Sequence, residues 1–375
     1  MKRCCPTMPR VVADLACYLV TGAAGLIGSE IAGALADRGD RVVGLVRKNR
    51  TLLRHDRRQV PTVEWQRALP LPGEVALVQG DVRDARLGLS AADYEALSTQ
   101  IDGVIHCAAV VQFDADPEVY EAVNIAGTRH VLDFACAGPG RPTGYIQVST
   151  AYVCGERAGP IAEDGGEAPG RFANDYEASK YAGEQLVRAA MARGVAAAIV
   201  RPSIVVGRAR DGAIAAFDSI YMAFKLLTEG RIRTIPSAPS ASLNFVPIDH
   251  VVNTIVTIAG RIDEAAGSAF HLVSQAPMSV ADFFDLIGDY PQFADPQCVS
   301  PEAFDPQSLS PIEQRFHRRV ASLYASYFQR NPLFRDDNVR ALLGARGPLA
   351  GRALIGRQID YGITAGFLRA EPVPA

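Results

Sequence analysis

The sequence lacks most of what would make a membrane, nucleic-acid-binding or disulfide-stapled protein. No apolar run approaches the roughly 20 residues of a membrane span, so none is expected. Its 38 basic residues stand against 41 acidic ones, a formal net charge of -3, which leaves no cationic field for a polyanion. A nucleic-acid partner is therefore not expected. The seven cysteines form no C-x-x-C pair, and the adjacent Cys4 and Cys5 are poorly placed to bridge each other. That usage suits a reduced, cytoplasmic compartment. Six scattered histidines offer neither H-x-x-x-H nor H-x-x-E-H, so no metal site is expected. The start carries Lys2 and Arg3 but runs on into prolines and Asp14, not into the apolar stretch of a signal peptide. Internal repeats and low-complexity tracts are absent as well.

What is present reads as a globular chain. With 375 residues, 48% hydrophobic and 21% charged, it can bury a sizeable core in one large or two closely joined domains. Short apolar runs at 16–20, 41–47, 75–80, 103–107, 144–149 and 196–201 alternate with helical spacing at 29–38, 90–98, 117–137 and 176–193. Alternation of this kind predicts an α/β fold, a doubly wound parallel sheet with helices on both faces. Loops are expected at 61–74, 138–144 and 155–171. The second half is less regular, with a helix near 220–227, a strand near 244–247, a helix over 249–258 and a strand near 269–273. Both late strands are free to rejoin the sheet. The expected division is a nucleotide-binding unit over 14–206 plus about 244–273, and a smaller, mainly helical unit from the discontinuous pieces 207–243 and 274–375.

Thr21-Gly22-Ala23-Ala24-Gly25-Leu26-Ile27-Gly28 is the most telling stretch. It follows the first apolar run and opens an Ala-rich helical segment expected from Ser29. A strand that turns on glycines into a helix presents bare backbone N–H groups and a positive helix end to a pyrophosphate. The spacing, G-x-x-G-x-x-G, is one residue longer in its first gap than the commonest dinucleotide fingerprint. The second strand ends Leu45-Val46-Arg47-Lys48, without the carboxylate that would hold a ribose diol. Arg47 offers a fork to a 2'-phosphate, with Lys48 or Arg50 adding charge. NADPH is the expected coenzyme. Arg54, Arg57 and Arg58 are read as a solvated surface. Ala108 and Ala109 end the fourth strand with minimal side chains, as a close cofactor requires.

Tyr176-Glu177-Ala178-Ser179-Lys180 sets a phenol and an ammonium on one helix face. In that arrangement the ammonium is expected to lower the phenol's pKa and reach a cofactor ribose. The preceding strand ends Val148-Ser149-Thr150-Ala151-Tyr152 and delivers hydroxyls to the carboxyl edge of the sheet, where open α/β folds bind ligands. These residues resemble the extended short-chain dehydrogenase/reductase superfamily, whose Rossmann-type fold carries a Ser or Thr, a Tyr and a Lys. Thr150 is the better match for the hydroxyl member, with Ser149 as the alternative, and Tyr176 and Lys180 complete the set. The runs 80–82, 88–90, 101–113 and 123–128, with Ser149 to Val153, Arg201-Pro202-Ser203-Ile204-Val205 and Asn244 to Asp249, are similar to the fatty acyl-CoA reductase and thioester reductase branch.

The resemblance implies that Gly22, Ala24, Gly25, Leu26, Ile27 and Gly28 cradle the pyrophosphate and that Asp81, with Val82, faces the adenine. Pro202, Ser203 and Val205 line the nicotinamide side of the pocket, and Asn124 holds backbone near the lysine. It also implies reduction of an acyl thioester, on coenzyme A or on a carrier protein supplied in trans, to an aldehyde and from there to an alcohol if the aldehyde is retained. A ketone or secondary-alcohol oxidoreductase and, in another class, a non-catalytic NADP-binding regulator remain the alternatives. His106 and His250 are read as structural. Phe217, Met222 and Phe224 are as readily core as pocket, and a homodimer is compatible with the chain.

Overall fold

The computed structural model describes residues 15–139, 143–164, 168–218, 220–318 and 322–371. The basic start, Cys4, Cys5 and Asp14 lie outside the described residues, as do parts of the loops expected at 138–144 and 155–171. Eight strands form the main sheet: β1 Cys17–Thr21, β2 Arg41–Val46, β3 Val63–Glu64, β4 Val75–Gln79, β5 Gly103–His106, β6 Gly144–Val148, β7 Ala197–Pro202 and β8 Ala269–Leu272. Their order is β8-β7-β6-β5-β1-β2-β4-β3, and every neighbouring pair is parallel. All of β1 and β7 is buried, because helices cover both faces and leave no edge of the pattern polar. The order runs outward from β1 in both directions, so a crevice opens at the carboxyl ends of β1 and β5.

One core packs Ile31 and Leu35 of the Leu26–Asp37 helix and Val251 and Ile255 of the Ile248–Gly260 helix against the sheet. On the other face, Val131 and Phe134 of Gly127–Ala135 and Val187 of Asp175–Ala192 close a second core. A third, rich in aromatic residues, joins Tyr221, Phe224 and Phe245 to Phe283, Phe328 and Ile355. Of the two late strands, Ala269–Leu272 rejoins the sheet beside β7, whereas Phe245–Pro247 pairs in parallel with Ile204–Val206 outside it. The loop expected at 61–74 contains the exposed edge strand β3. The helix expected over 117–137 is interrupted in register: Glu121–Ala126 is wound as π-helix between Pro117–Tyr120 and Gly127–Ala135.

Candidate active site

The glycine turn is built by close backbone approach. Gly22 takes φ +64, and a Cβ there would lie 2.8 Å from the Ala108 backbone. A Cβ on Gly28 would stand 2.2 Å from the Gly22 carbonyl oxygen. The helix starts at Leu26, three residues earlier than expected, with Gly25 as an N-cap that supplies no side-chain hydrogen bond. The first-turn N–H groups of Leu26, Ile27 and Gly28 therefore have no intrahelical acceptor, and no acidic residue occupies that turn. Such a cradle fits a pyrophosphate, because the free first-turn N–H groups at a helix N-terminus can meet its oxygens.

A cavity of about 350 Å³ opens directly beside this turn. Gly22, Gly25, Leu26, Ile27 and Gly28 form one side of it, and Cys107 and Ala109 follow β5. Thr150 and Tyr176 lie on the wall together with Ser203 and Val205. Thr150 follows β6 and caps the Ala151–Cys154 turn, its Oγ1 accepting the Tyr152 N–H at 3.3 Å. Its hydroxyl lies near the Tyr176 phenol on the same wall. Ser149 Oγ is buried without a partner. Asn174 starts the Asp175–Ala192 helix by accepting the Glu177 N–H at 2.9 Å, which sets Tyr176 and Lys180 one turn apart.

Lys180 does not depress the Tyr176 pKa. Its ammonium is buried and donates to the Val148 carbonyl at 2.8 Å, so it sits behind the strand end. Burial, with the Glu177 charge, pushes the phenol pKa up, and the nearby Thr150 hydroxyl offsets only part of that. Burial lowers the Lys180 pKa to about 8, against the pull of Glu184. Tyr176 is thus held as a neutral phenol. Cys107 also reaches the cavity, but burial raises its thiol to about 12, which leaves no thiolate nucleophile at neutral pH.

At the outer end, Arg47 and Lys48 are exposed just past β2. Arg50, expected to add charge there, instead hydrogen-bonds Glu64 of the edge strand. Arg54 is held by Glu30 at 3.0 Å and Asp37 at 2.9 Å. Burial pushes the Asp81 carboxyl up, but hydrogen bonds from Arg83, with the Arg47 charge, bring it below its ordinary value. The Val82 side chain is in the core against Gly127, Ala24 is half-buried in the turn, and Pro202 is buried one residue short of the cavity wall. Ala108 donates its N–H to Thr21 Oγ1 at 3.3 Å. Asn124 grips both backbone groups of Val110, at 2.9 and 3.1 Å, and donates to Ser179 beside Lys180 at 2.9 Å. It lies in the π-helical stretch, a distortion that recurs at functional sites.

His106 is locked between Thr21 and Thr128, and burial lowers its pKa to about 3. It is a neutral structural residue. His250 is also shifted down by burial. Phe224 is core, Met222 is exposed, and Phe217 stacks on Phe367 with ring centroids 4.2 Å apart. Sequence reasoning missed the aromatic wall: Phe113, Tyr152, Tyr221, Tyr324 and Tyr327 all face the cavity. The i, i+3 pair Tyr324 and Tyr327 was the available signal. Among the described residues no group of His, Cys, Asp and Glu could hold a metal, and no helix is long and apolar enough to cross a membrane.

The doubly wound sheet, the pyrophosphate turn and the hydroxyl-bearing carboxyl edge define an NAD(P)-binding protein of the extended short-chain dehydrogenase/reductase class. Residues 20–255 match the family model described as Male sterility protein. The chain belongs to that family, and within the extended class it falls in the thioester reductase branch. It is 26% identical over 263 residues to the aldehyde reductase lnbA of Aspergillus flavus, covering 64% of this chain and 25% of that protein. The terminal R domain from the myxalamid PKS-NRPS biosynthetic pathway superposes with a TM-score of 0.77 at 25% identity, over 97% of this chain and 94% of that one. A thiolation-reductase di-domain from an archaeal non-ribosomal peptide synthetase shares the fold, with a TM-score of 0.68 at 19% identity over 95% and 92% of the two chains. The chain spans only 5% to 27% of the length of four curated relatives it matches.

Proposed function

We propose that the chain is an NADPH-dependent reductase that converts an acyl thioester, held on coenzyme A or on a carrier protein supplied in trans, to an aldehyde. The observation that carries this reading is the single cavity in which the Thr150 and Tyr176 hydroxyls face the glycine turn. The relatives' names, an aldehyde reductase and terminal reductase domains of peptide synthetases, support the thioester as substrate. In this reading residues 14–206 with about 244–273 bind the coenzyme, and 207–243 with 274–375 shape the acyl site.

Gly22 to Gly28 would hold the coenzyme's pyrophosphate, Arg47 with Lys48 its 2'-phosphate, and Asp81 with Val82 its adenine. Ser203 and Val205, on the cavity wall, would flank the nicotinamide, which when bound would supply the hydride. Thr150 and Tyr176 donate hydrogen bonds to the thioester carbonyl oxygen and stabilise it as it becomes anionic. Tyr176, kept neutral by burial, gives that oxygen its proton. Lys180, whose ammonium donates to the Val148 carbonyl in this structure, would reach the coenzyme's ribose by turning from that acceptor. Collapse of the tetrahedral carbon breaks the C–S bond, the oxygen gives up its proton, and the thiol leaves with the aldehyde as product.

The test is incubation with NADPH and a panel of acyl-CoA, acyl-carrier and ketone substrates, with the aldehyde trapped as an oxime. Thioester-dependent oxidation of NADPH with oxime formation is expected. Ketone turnover without thioester turnover would select a secondary-alcohol oxidoreductase, and tight NADPH binding with no turnover would select a regulator.

A further inference from the structure

The residue that follows Tyr176 is a carboxylate with 0% exposure, and the guanidinium that meets it, on Arg330, is 7% exposed. Arg330 comes from the far C-terminal part of the chain. It hydrogen-bonds both oxygens of Glu177, one of them at 3.2 Å, and donates to the Gly155 carbonyl at 3.0 Å. Its flat cation also lies over two rings, 4.7 Å from the centroid of Tyr152 and 4.8 Å from that of Tyr327. Those two rings meet edge to face at 4.6 Å. From Tyr327 the contact runs on to Phe113, stacked at 5.9 Å with 12° between planes, and from Phe113 back to Tyr176 at 5.7 Å. The circuit is closed: catalytic helix, buried ion pair, aromatic wall, catalytic tyrosine.

Burying a charge pair rarely adds stability over an apolar pair of the same shape, because both ions lose their water. What a bidentate arginine lying over two rings does supply is one fixed geometry. Here it fixes the Tyr152 and Tyr327 rings relative to the start of the helix that bears Tyr176. A cavity side made of rings offers flat faces and edges, which suit a planar acyl group better than a flexible alkyl chain.

We propose that Arg330 is a positioning residue for acyl specificity: clamped by Glu177 and the rings of Tyr152 and Tyr327, it holds an aromatic wall that favours planar acyl groups. This rests on the reductase reading above for the substrate's handle, but not for the wall itself.

Benzoyl and hexanoyl thioesters of coenzyme A are compared as substrates of the wild type and of Arg330→Met, Arg330→Lys and the double variant Glu177→Gln/Arg330→Met. The wild type is expected to favour benzoyl in kcat/KM. The double variant removes both buried charges together and is expected to melt as the wild type does. It should lose about tenfold or more of the benzoyl preference over hexanoyl, chiefly through KM. Arg330→Lys, which keeps the charge but not the planar fork, should recover only part of the preference. If Arg330→Met fails to fold, the double variant carries the test. A double variant with the wild-type preference, a uniform fall in kcat on both substrates, or a wild type that prefers hexanoyl would each overturn the proposal. Should the wild type reduce no thioester, the reductase reading fails separately, and acetophenone against 2-octanone then tests the same wall.

Discussion

Two alanine substitutions in the glycine turn separate cofactor contact from fold, and the geometry gives each its own expected result. Gly25 is an exposed N-cap at φ -82, a conformation open to any residue, and an added Cβ would lie 3.2 Å from the Gly22 carbonyl oxygen. A shift of a few tenths of an ångström relieves that contact. The cost to stability in Gly25→Ala is about 1 kcal/mol or less, mainly the poorer N-cap, and the melting temperature falls by about 2–4 °C at most. Gly25 lines the cavity, so on the pyrophosphate assignment the new methyl would crowd that group, at a cost of about 1–3 kcal/mol of binding, roughly 5- to 150-fold in Kd. Gly28→Ala is different in kind. Its Cβ would stand 2.2 Å from the same oxygen and 2.9 Å from the carbonyl carbon, so helix and turn must separate. Both NADPH affinity and melting temperature should fall, the second because overpacking strain removes a further ~1–3 kcal/mol of stability. Fluorescence titration with NADPH and thermal denaturation on the same preparations measure the two quantities. Unchanged NADPH affinity in Gly25→Ala would refute the pyrophosphate assignment, and a wild-type melting temperature in Gly28→Ala would refute the close seating of the helix on the turn.

Three further outcomes follow from the same geometry. Tyr176→Phe should lower kcat by about 10²- to 10⁴-fold, the usual value of a positioned proton donor, with NADPH affinity nearly unchanged; an active variant would remove Tyr176 from the chemistry. Arg47→Ala should raise the KM for NADPH by roughly tenfold while leaving NADH alone, since a charge-assisted bond to phosphate is worth about 1.5–3 kcal/mol. Equal effects on both coenzymes would contradict the 2'-phosphate assignment. Lys180 has its pKa lowered from 10.5 to about 8 in the folded chain. Between those values the unfolded chain binds the extra proton, so this group's contribution to stability rises as pH climbs through the window. Melting curves from about pH 7 to about pH 10 should therefore shift in favour of the wild type relative to Lys180→Met, and parallel curves would show that the lysine titrates normally.

The sheet was legible because parallel strands buried on both faces have to be apolar blocks, as Leu19-Val20 and Ala197 to Val200 are. The turn was legible because Gly22 and Gly28 sit where no Cβ fits. Local spacing also put Tyr176 and Lys180 on one helical face, but it could not say where the lysine's long side chain ends. In the structure it is spent on the Val148 carbonyl, and burial governs the phenol instead. The edge strand Val63–Glu64 escaped notice because two exposed residues carry no periodicity. Hidden for another reason was the aromatic wall: Tyr324 and Tyr327 reach Phe113 and Tyr152 only through the tertiary fold, across about half the chain. The clamp between Glu177 and Arg330 is equally non-local, 153 residues apart in sequence.

The most direct test of the central claim is the stoichiometry of NADPH oxidised to aldehyde trapped when the purified chain meets an acyl thioester, run beside Tyr176→Phe. The expected result is one aldehyde and one free thiol for each NADPH consumed, with both products lost in the variant. Consumption of NADPH without release of thiol, or equal product from the variant, would contradict it.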